Sequence, residues 1–188
     1  MERYAGPVTI VLLLGMVWTR VLLMKRKGIT AVYFGKIDKK DFLIPPFAFL
    51  YFYVVFAAAF GLPTVSRQVF FQSDMAAWVG MAFCLAGLIA LFLSLVSFGK
   101  SFRIGIDAVR PDQLVTTGIF AVSRNPIYVG FGFVLLGQFL LFPDWILLAY
   151  MLAGVWLFHR QVLREEEYLR AHYGQQYIEY CARVRRYL

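Results

Sequence analysis

Two polar motifs in the second half of the chain combine residue types that can bind a charged ligand. The Arg-Asn-Pro motif, Arg124-Asn125-Pro126, lies within the stretch LVTTGIFAVSRNPIYVG, residues 114–130, directly before a long apolar run. Proline suits the first turn of a helix, and the free N–H groups at such a helix end can hold an anion or a polar group. A simpler interpretation of the same residues is helix capping by Asn125 and an arginine that reaches the lipid head groups.

The glutamate motif, Glu165-Glu166-Glu167, directly follows the last apolar run. On a helix, Glu166 and Glu167 could pair with Arg170 at spacings of four and three residues, which stabilises a helix only weakly. This pairing leaves Glu165 alone on the turn nearest the membrane. An ionisable residue in that position indicates a functional site.

The elements that must position both motifs are membrane helices. The chain of 188 residues is 61% hydrophobic and 16% charged, whereas soluble chains carry about a quarter charged residues. A helix needs about 20 mostly apolar residues to cross a bilayer. The sequence therefore predicts an all-α integral membrane protein with five transmembrane helices, at residues 6–24, 42–61, 75–98, 126–142 and 145–163.

The fourth and fifth segments are predicted to form one helical hairpin, because only the tight turn at Pro143-Asp144 separates them. The two ends of a hairpin on one side of the membrane are neighbours. The Arg-Asn-Pro and glutamate motifs are therefore expected to meet in space over an apolar floor. Such a site suits a zwitterionic ligand with an aromatic part.

The distribution of cations predicts the orientation of the helices. Sixteen of the 19 lysines and arginines lie within residues 25–40, 100–124 and 160–186, which five helices place on one side of the membrane. The opposite side holds only Arg3 and Arg67, and Arg20 falls in or at the end of the first helix. By the positive-inside rule, the N-terminus is expected outside and the C-terminus in the cytoplasm.

The chain after the fifth segment predicts an amphipathic helix at the cytoplasmic face. Apolar and aromatic residues recur there at helical spacing on a charged background, with a break or cap expected near Gly174. These residues are Leu163, Tyr168, Leu169, Tyr173, Tyr177 and Tyr180.

Composition also argues against several other classes. A net charge of +8 is explained by basic loops beside anionic lipids, and no nucleic-acid module is visible, so no nucleic-acid partner is expected. Cys84 and Cys181 fall in different regions and indicate no disulfide. His159 and His172, without a cysteine cluster, give no metal-ligand spacing.

The two motifs together resemble the signature of the isoprenylcysteine carboxyl methyltransferase and phospholipid methyltransferase superfamily, in its bacterial form. The resemblance covers roughly residues 95–183, and "SFRIGID", residues 101–107, also resembles the stretch before the motif in bacterial members. The residues in register with the family pattern are Leu114, Val115, Gly118, Arg124, Asn125, Pro126, Tyr128, Gly130, Glu165, Glu166, Leu169, Tyr173, Gly174, Tyr177 and Tyr180.

The resemblance implies an integral membrane enzyme that uses S-adenosylmethionine and methylates a lipophilic or small acceptor, at a carboxyl, amine or thiol group. Residues 1–98 would then hold the first three helices and residues 99–188 the catalytic half, within one structural domain of a bacterial inner-membrane protein. Arg124 and Glu165 are the expected catalytic residues. The expected cofactor-binding residues are Asp112, Gln113, Leu114, Val115, Phe120, Asn125, Pro126, Ile127, Tyr128, Glu165 and Glu166.

Two departures from the family pattern bear on the acceptor. Prenylcysteine enzymes usually have histidine at the position of Asn125, and an arginine that binds the substrate carboxylate at the position of Gln161. Arg160 and Arg164 flank Gln161 and are expected to replace that arginine at the substrate. His159 is the nearest candidate base if the acceptor must lose a proton, although the simpler interpretation is a helix residue at the membrane interface.

The sequence leaves two other classes of function open. A non-catalytic scaffold or small transporter is one, although a transporter should carry ionisable groups in mid-bilayer, and the five segments contain almost none. A nicotinamide-dependent membrane reductase is the other, but it needs phosphate contacts, and no glycine-rich phosphate cradle is present.

Overall fold

The computed structural model describes residues 2–26, 28, 44–63, 69–99 and 114–188, and within these ranges the regular elements are helices. A 3₁₀ turn, Glu2–Tyr4, precedes the first helix, and a second 3₁₀ turn is formed by Gly118–Ala121. The α-helices are α1 (Ala5–Arg26), α2 (Ile44–Phe60), α3 (Asp74–Phe98), α4 (Pro126–Leu141), α5 (Trp145–Tyr173) and α6 (Gln175–Arg183).

Three of the described helices are long and apolar enough to cross a membrane. They are α1 with its preceding turn, α3 and α5, whereas α2 and α4 are shorter apolar helices. Large apolar side chains such as Trp18, Phe49 and Trp78 are exposed, as expected where the solvent is lipid. The all-helical membrane fold is confirmed, and the count of five crossings stays a prediction.

The predicted hairpin of the fourth and fifth segments is present. α4 ends at Leu141 and α5 begins at Trp145, so three residues make the turn. The Asp144 side chain accepts a hydrogen bond of 2.9 Å from the backbone N–H of Leu147 and so caps the first turn of α5. The other end of the hairpin therefore brings Pro126 on α4 close to the second half of α5.

Helix α4 is held in place mainly by α3, its most extensive neighbour among the described elements. Glycines line this interface: a Cβ added to Gly87 would lie 2.7 Å from the Gly130 carbonyl oxygen, and one added to Gly80 would lie 2.8 Å from the Gly137 carbonyl oxygen. Small residues allow two membrane helices to approach this closely. The hairpin thus rests on a rigid support formed by α3.

One boundary differs from the sequence prediction. The predicted fifth segment ends at residue 163, but α5 continues without a break to Tyr173. Leu, Arg, Glu and Ala in the added turns are strong helix formers, so no signal ends the helix there. Gly174, with φ +52, ends α5 at the position where a break was predicted. The glutamate motif consequently lies on the same rigid helix as the apolar segment.

Candidate active site at the motif end of the hairpin

The Arg-Asn-Pro and glutamate motifs meet, as the hairpin predicted. The side-chain amide of Asn125 donates a hydrogen bond of 3.0 Å to Oε1 of Glu166. One turn into α4, the Tyr128 hydroxyl donates a hydrogen bond of 2.5 Å to Oε1 of Glu165. The start of α4 and the second half of α5 are therefore joined by two direct contacts.

Glu166 is a buried anchor that two arginines neutralise. Its side chain is only 6% exposed, its Oε2 lies 3.0 Å from Arg186 Nη2, and its Oε1 lies 3.5 Å from Arg124 Nη2. The hydrogen bond to Glu166 raises the pKa of the Arg186 guanidinium above its ordinary value. The simpler interpretation, a pair of Glu166 with Arg170, is not found among the described residues, where Arg124 and Arg186 are the ion-pair partners of Glu166.

The simpler interpretation of the Arg-Asn-Pro motif is wrong. Asn125 stands at the N-cap position of α4, but its side chain makes no capping hydrogen bond. Its amide nitrogen instead binds Glu166 and the carbonyl oxygen of Arg186, at 3.2 Å. Arg124 does not extend to the surface, since its side chain is 11% exposed and also contacts the Cys181 thiol.

Glu165 is in a different electrostatic position from Glu166. It is partly buried, and both hydrogen-bond donors described for it are neutral: the Tyr128 hydroxyl at 2.5 Å and the Gln161 amide at 3.0 Å. Within the described part of the chain no cation pairs with it. A carboxylate removed from water without a counter-charge is costly, and a bound cation offsets that cost. The site therefore fits a positively charged ligand beside Glu165.

An aromatic cluster extends from this carboxylate toward the membrane interior. The Tyr128 ring centroid lies 5.8 Å from that of Phe158 on α5. Phe158 in turn stacks on Phe131 at 5.4 Å. The predicted apolar floor below the two motifs is present, and its aromatic faces can also contact a cation.

The sequence prediction missed a third part of the site, residues 184–188, which are named here the closing segment. After α6 the chain returns to the Arg-Asn-Pro motif, where the backbone N–H of Arg124 donates to the Arg185 carbonyl at 2.9 Å. The Tyr187 hydroxyl lies 2.7 Å from Nδ1 of His159. The only sequence signal here was the cationic pair Arg185-Arg186, which was assigned to membrane orientation.

Helix α6 fixes the turn that precedes the Arg-Asn-Pro motif. The Tyr180 hydroxyl donates a hydrogen bond of 2.6 Å to the carbonyl oxygen of Phe120. Burial raises the pKa of Tyr180 to about 12, so the hydroxyl keeps the proton that it donates. The Phe120 ring is buried and packs edge-on against Phe98, with ring centroids 4.7 Å apart.

The remaining predicted site residues fall into three groups. Leu114, Val115 and Ile127 are partly buried, and Pro126 is buried at the start of α4. Asp112 and Gln113 lie outside the described residues.

The two predicted substrate residues are both exposed on α5. The Arg160 guanidinium lies over the Trp156 ring at 5.8 Å. Residues 160 and 165 point about 140° apart on an α-helix. The structure therefore does not bring Arg160 to Glu165, and Gln161 occupies that position instead.

A cavity of about 240 Å³ lies at the opposite end of the hairpin. It is bordered by residues 71–74 and 140–144, with Glu2 at its edge. It is separate from both motifs, so the candidate active site is defined by the converging side chains and not by this cavity.

The fold and the site define a helical membrane protein with a charged, polar site at one end of an apolar hairpin. The profile of the phospholipid methyltransferase family matches residues 75–176, more than half of the chain. The chain belongs to this family, in the superfamily that the two motifs predicted.

Similar proteins carry the names of isoprenylcysteine methyltransferases. Protein-S-isoprenylcysteine O-methyltransferase B of Arabidopsis thaliana is 29% identical over 130 residues, covering 65% of this chain and 66% of that protein. A probable protein-S-isoprenylcysteine O-methyltransferase of Oryza sativa subsp. indica is 31% identical, covering 57% and 58%. The Schizosaccharomyces pombe protein-S-isoprenylcysteine O-methyltransferase is 33% identical, covering 48% and 40%.

The chain thus spans less than two thirds of the length of each of these relatives. No solved structure matches it at a significant level.

Proposed function

We propose that this protein is an S-adenosylmethionine-dependent methyltransferase that acts at the cytoplasmic face of a bacterial inner membrane. Its acceptor is lipophilic or small and is methylated at a carboxyl, amine or thiol group. In this proposal the chain crosses the membrane five times, with the N-terminus outside. The observation that carries the proposal is Glu165, a partly buried carboxylate held by two neutral donors beside an aromatic ring.

The residues of the site fit S-adenosylmethionine, which combines a sulfonium cation, an amino-acid group and an adenosine. Glu165 and the face of Tyr128 suit the cationic part, because carboxylates and aromatic faces both attract cations. Asn125, Pro126 and Ile127 would border the ligand along the start of α4. Leu114, Val115 and Phe120, with Asp112 and Gln113, would contact the adenosine, and Glu166 would support Asn125.

When bound, S-adenosylmethionine supplies an electrophilic methyl group that passes to a lone pair of the acceptor as the carbon–sulfur bond breaks. The protein contributes by positioning the methyl donor and the acceptor, and this positioning can supply much of the acceleration of such a displacement. Glu165 orients the cation and the hairpin fixes Glu165. Arg124 was predicted to be catalytic, but its contacts with Glu166 and Cys181 give it a positioning role.

A lipophilic acceptor fits the surroundings of the site. The aromatic cluster of Tyr128, Phe131 and Phe158 lies below Glu165, so the apolar part of an acceptor dissolved in the membrane can pack beside the site. Relatives are named for isoprenylcysteine, a lipidated acceptor. His159 stays a candidate base, because its described contact with the Tyr187 hydroxyl is made by Nδ1 and leaves Nε2 to accept a proton.

The proposal is tested by binding and by transfer. We expect the purified, folded protein in detergent to bind S-adenosylmethionine in a calorimetric titration, and membranes that contain the protein to transfer a labelled methyl group to a lipid or a small acceptor. Absence of heat with a folded sample would contradict the proposal. Binding of a nicotinamide cofactor in its place would favour a reductase.

We expect Tyr128→Phe to weaken S-adenosylmethionine binding by about fivefold, because a hydrogen bond to a charged group contributes roughly 1.5–3 kcal/mol, part of which water replaces. The substitution removes the donor to Glu165 and keeps the ring against Phe158. Tyr51→Phe is the matched control, since the buried Tyr51 hydroxyl has no described partner. Equal affinities of the two variants would show that the Tyr128 hydroxyl takes no part in binding.

A further inference from the structure

The closing segment, residues 184–188, is attached to both sides of the candidate active site. On one side, the carbonyl oxygen of Arg186 accepts hydrogen bonds from Asn125 Nδ2 at 3.2 Å and from Ser123 Oγ at 3.4 Å. On the other side, Arg186 Nε donates to Glu166 Oε2 at 3.0 Å. One residue therefore bridges the start of α4 and the second half of α5.

Arg186 makes the shorter of the two ion pairs of Glu166. Both Arg186 Nε and Nη2 lie 3.0 Å from Oε2, whereas the nearest Arg124 nitrogen is 3.5 Å from Oε1. Glu166 is nearly inaccessible to water, while the Arg186 side chain is 39% exposed. Loss of Arg186 would leave a buried carboxylate with one long ion pair, a costly arrangement that favours movement of the Glu166 side chain.

Arg186 holds Asn125 in place both directly and through Glu166. Asn125 Nδ2 is held by Glu166 Oε1 and by the Arg186 carbonyl oxygen. Asn125 in turn stands immediately before α4, whose first turn carries Tyr128 and its contact with Glu165. A shift of the Glu166 side chain would therefore move Asn125 and the first turn of α4. The Tyr128 hydroxyl would move with that turn, and so would its contact with Glu165, the carboxylate proposed to face the ligand.

We propose that Arg186 is a positioning residue for the methyl donor, acting through Glu166 and Asn125, and that the closing segment is a structural part of the active site. This inference rests on the proposed binding of S-adenosylmethionine. Arg186 itself does not contact Glu165 in the described network, and its role is to hold the residues that do the binding.

The experiment measures the affinity of the detergent-purified protein for S-adenosylmethionine by calorimetry, with a thermal unfolding scan on each sample. We expect Arg186→Gln to weaken binding about tenfold, the effect of losing a charge-assisted hydrogen bond. Arg186→Lys keeps the positive charge, so we expect it to restore most of the affinity. Because lysine offers a single nitrogen, we expect its affinity to lie within about threefold of that of the unsubstituted protein.

Arg183→Gln is the matched control, because it makes the same change of charge three residues earlier, on α6 and outside the closing segment. The Arg183 side chain is exposed, and its described contact is with the backbone carbonyl of Glu179. We expect this variant to bind with unchanged affinity. Equal losses for Arg183→Gln and Arg186→Gln would show that the effect comes from net charge and would overturn the inference.

A double-mutant cycle with Glu166→Gln separates positioning from a general loss of stability. If Arg186 acts through Glu166, Arg186→Gln has little further effect on affinity in the Glu166→Gln background; additive losses would overturn the inference. Should Arg186→Gln not fold, the same cycle is run with Arg186→Met, which also removes the charge and the donors to Glu166. If the unsubstituted protein binds and Arg186→Gln binds equally well, the inference fails alone; if the folded, unsubstituted protein does not bind, the proposed function fails with it.

Discussion

Replacement of Glu165 by glutamine is expected to weaken binding of S-adenosylmethionine by about 30-fold or more, since loss of one partner of a buried charge pair costs about 2–5 kcal/mol. Glutamine has nearly the same shape and can still accept from Tyr128 and Gln161, the donors at 2.5 and 3.0 Å. The change therefore removes the negative charge and little else. A calorimetric titration of the detergent-purified variant measures the effect.

The stability of the same variant provides an independent readout. In the ligand-free protein Glu165 is partly buried, and its donors among the described residues are both neutral, so its charge opposes folding. We expect Glu165→Gln to unfold at the same temperature as the unsubstituted protein or higher, even though its affinity is lower. Binding sites often retain residues that reduce stability in this way.

The matched control is Glu167→Gln, which makes the same change of charge two residues along α5 on an exposed side chain. We expect it to change affinity by less than about twofold, because exposed charges are screened by water and salt. If Glu165→Gln keeps full affinity, or if Glu167→Gln loses as much, the cation does not bind at Glu165 and the proposed site is wrong.

Local signals were sufficient to predict the hairpin and the meeting of its two motifs. Pro126 starts α4, the Pro143-Asp144 turn ends it, and an α-helix has a fixed rise per residue. Given these three facts, the Arg-Asn-Pro motif has to lie near the glutamate motif. The apolar runs likewise indicated the helices, although α2 and α4 are shorter than the other apolar helices.

The partners of Glu166 could not be predicted by local rules. Spacing on a helix favoured Arg170, but a pair at that spacing contributes only about 0.2–0.5 kcal/mol. Arg124 forms an ion pair with the buried Glu166 carboxylate and Arg186 donates a charge-assisted hydrogen bond to it, and a hydrogen bond to a charged group contributes about 1.5–3 kcal/mol. Arg186 reaches Glu166 only because Gly174 ends α5 and α6 turns the chain back, and no periodic pattern encodes that return.

The close packing of α3 and α4 does have a sequence signal that was overlooked. Gly80 and Gly87 on α3, and Gly130 and Gly137 on α4, are each seven residues apart. Two turns of helix place residues at this spacing on one face, and small residues on one face mark a helix–helix interface in membranes. The glycine spacing therefore predicts the contact between α3 and α4 that supports the Arg-Asn-Pro motif.

This interface is the basis of the second large effect, on stability. A Cβ at Gly137 would lie 2.6 Å from both the Gly80 carbonyl oxygen and the Cys84 sulfur. Relief requires α3 and α4 to separate, because the nearest atoms include backbone. We expect Gly137→Ala to lower the free energy of unfolding by about 2–3 kcal/mol and the thermal midpoint in detergent by roughly 4–12 °C.

Gly132→Ala is the control on the same helix, since a Cβ there meets no atom of the described residues within 4 Å. Alanine is the better helix former by about 1 kcal/mol, so this variant is expected to unfold at the same temperature or slightly higher. The opposite response of two identical substitutions five residues apart isolates the helix–helix contact from helix propensity. Equal midpoints for Gly137→Ala and Gly132→Ala would mean that α3 and α4 are not in backbone contact, and the hairpin would then lack the support that holds Asn125 and Tyr128 against α5.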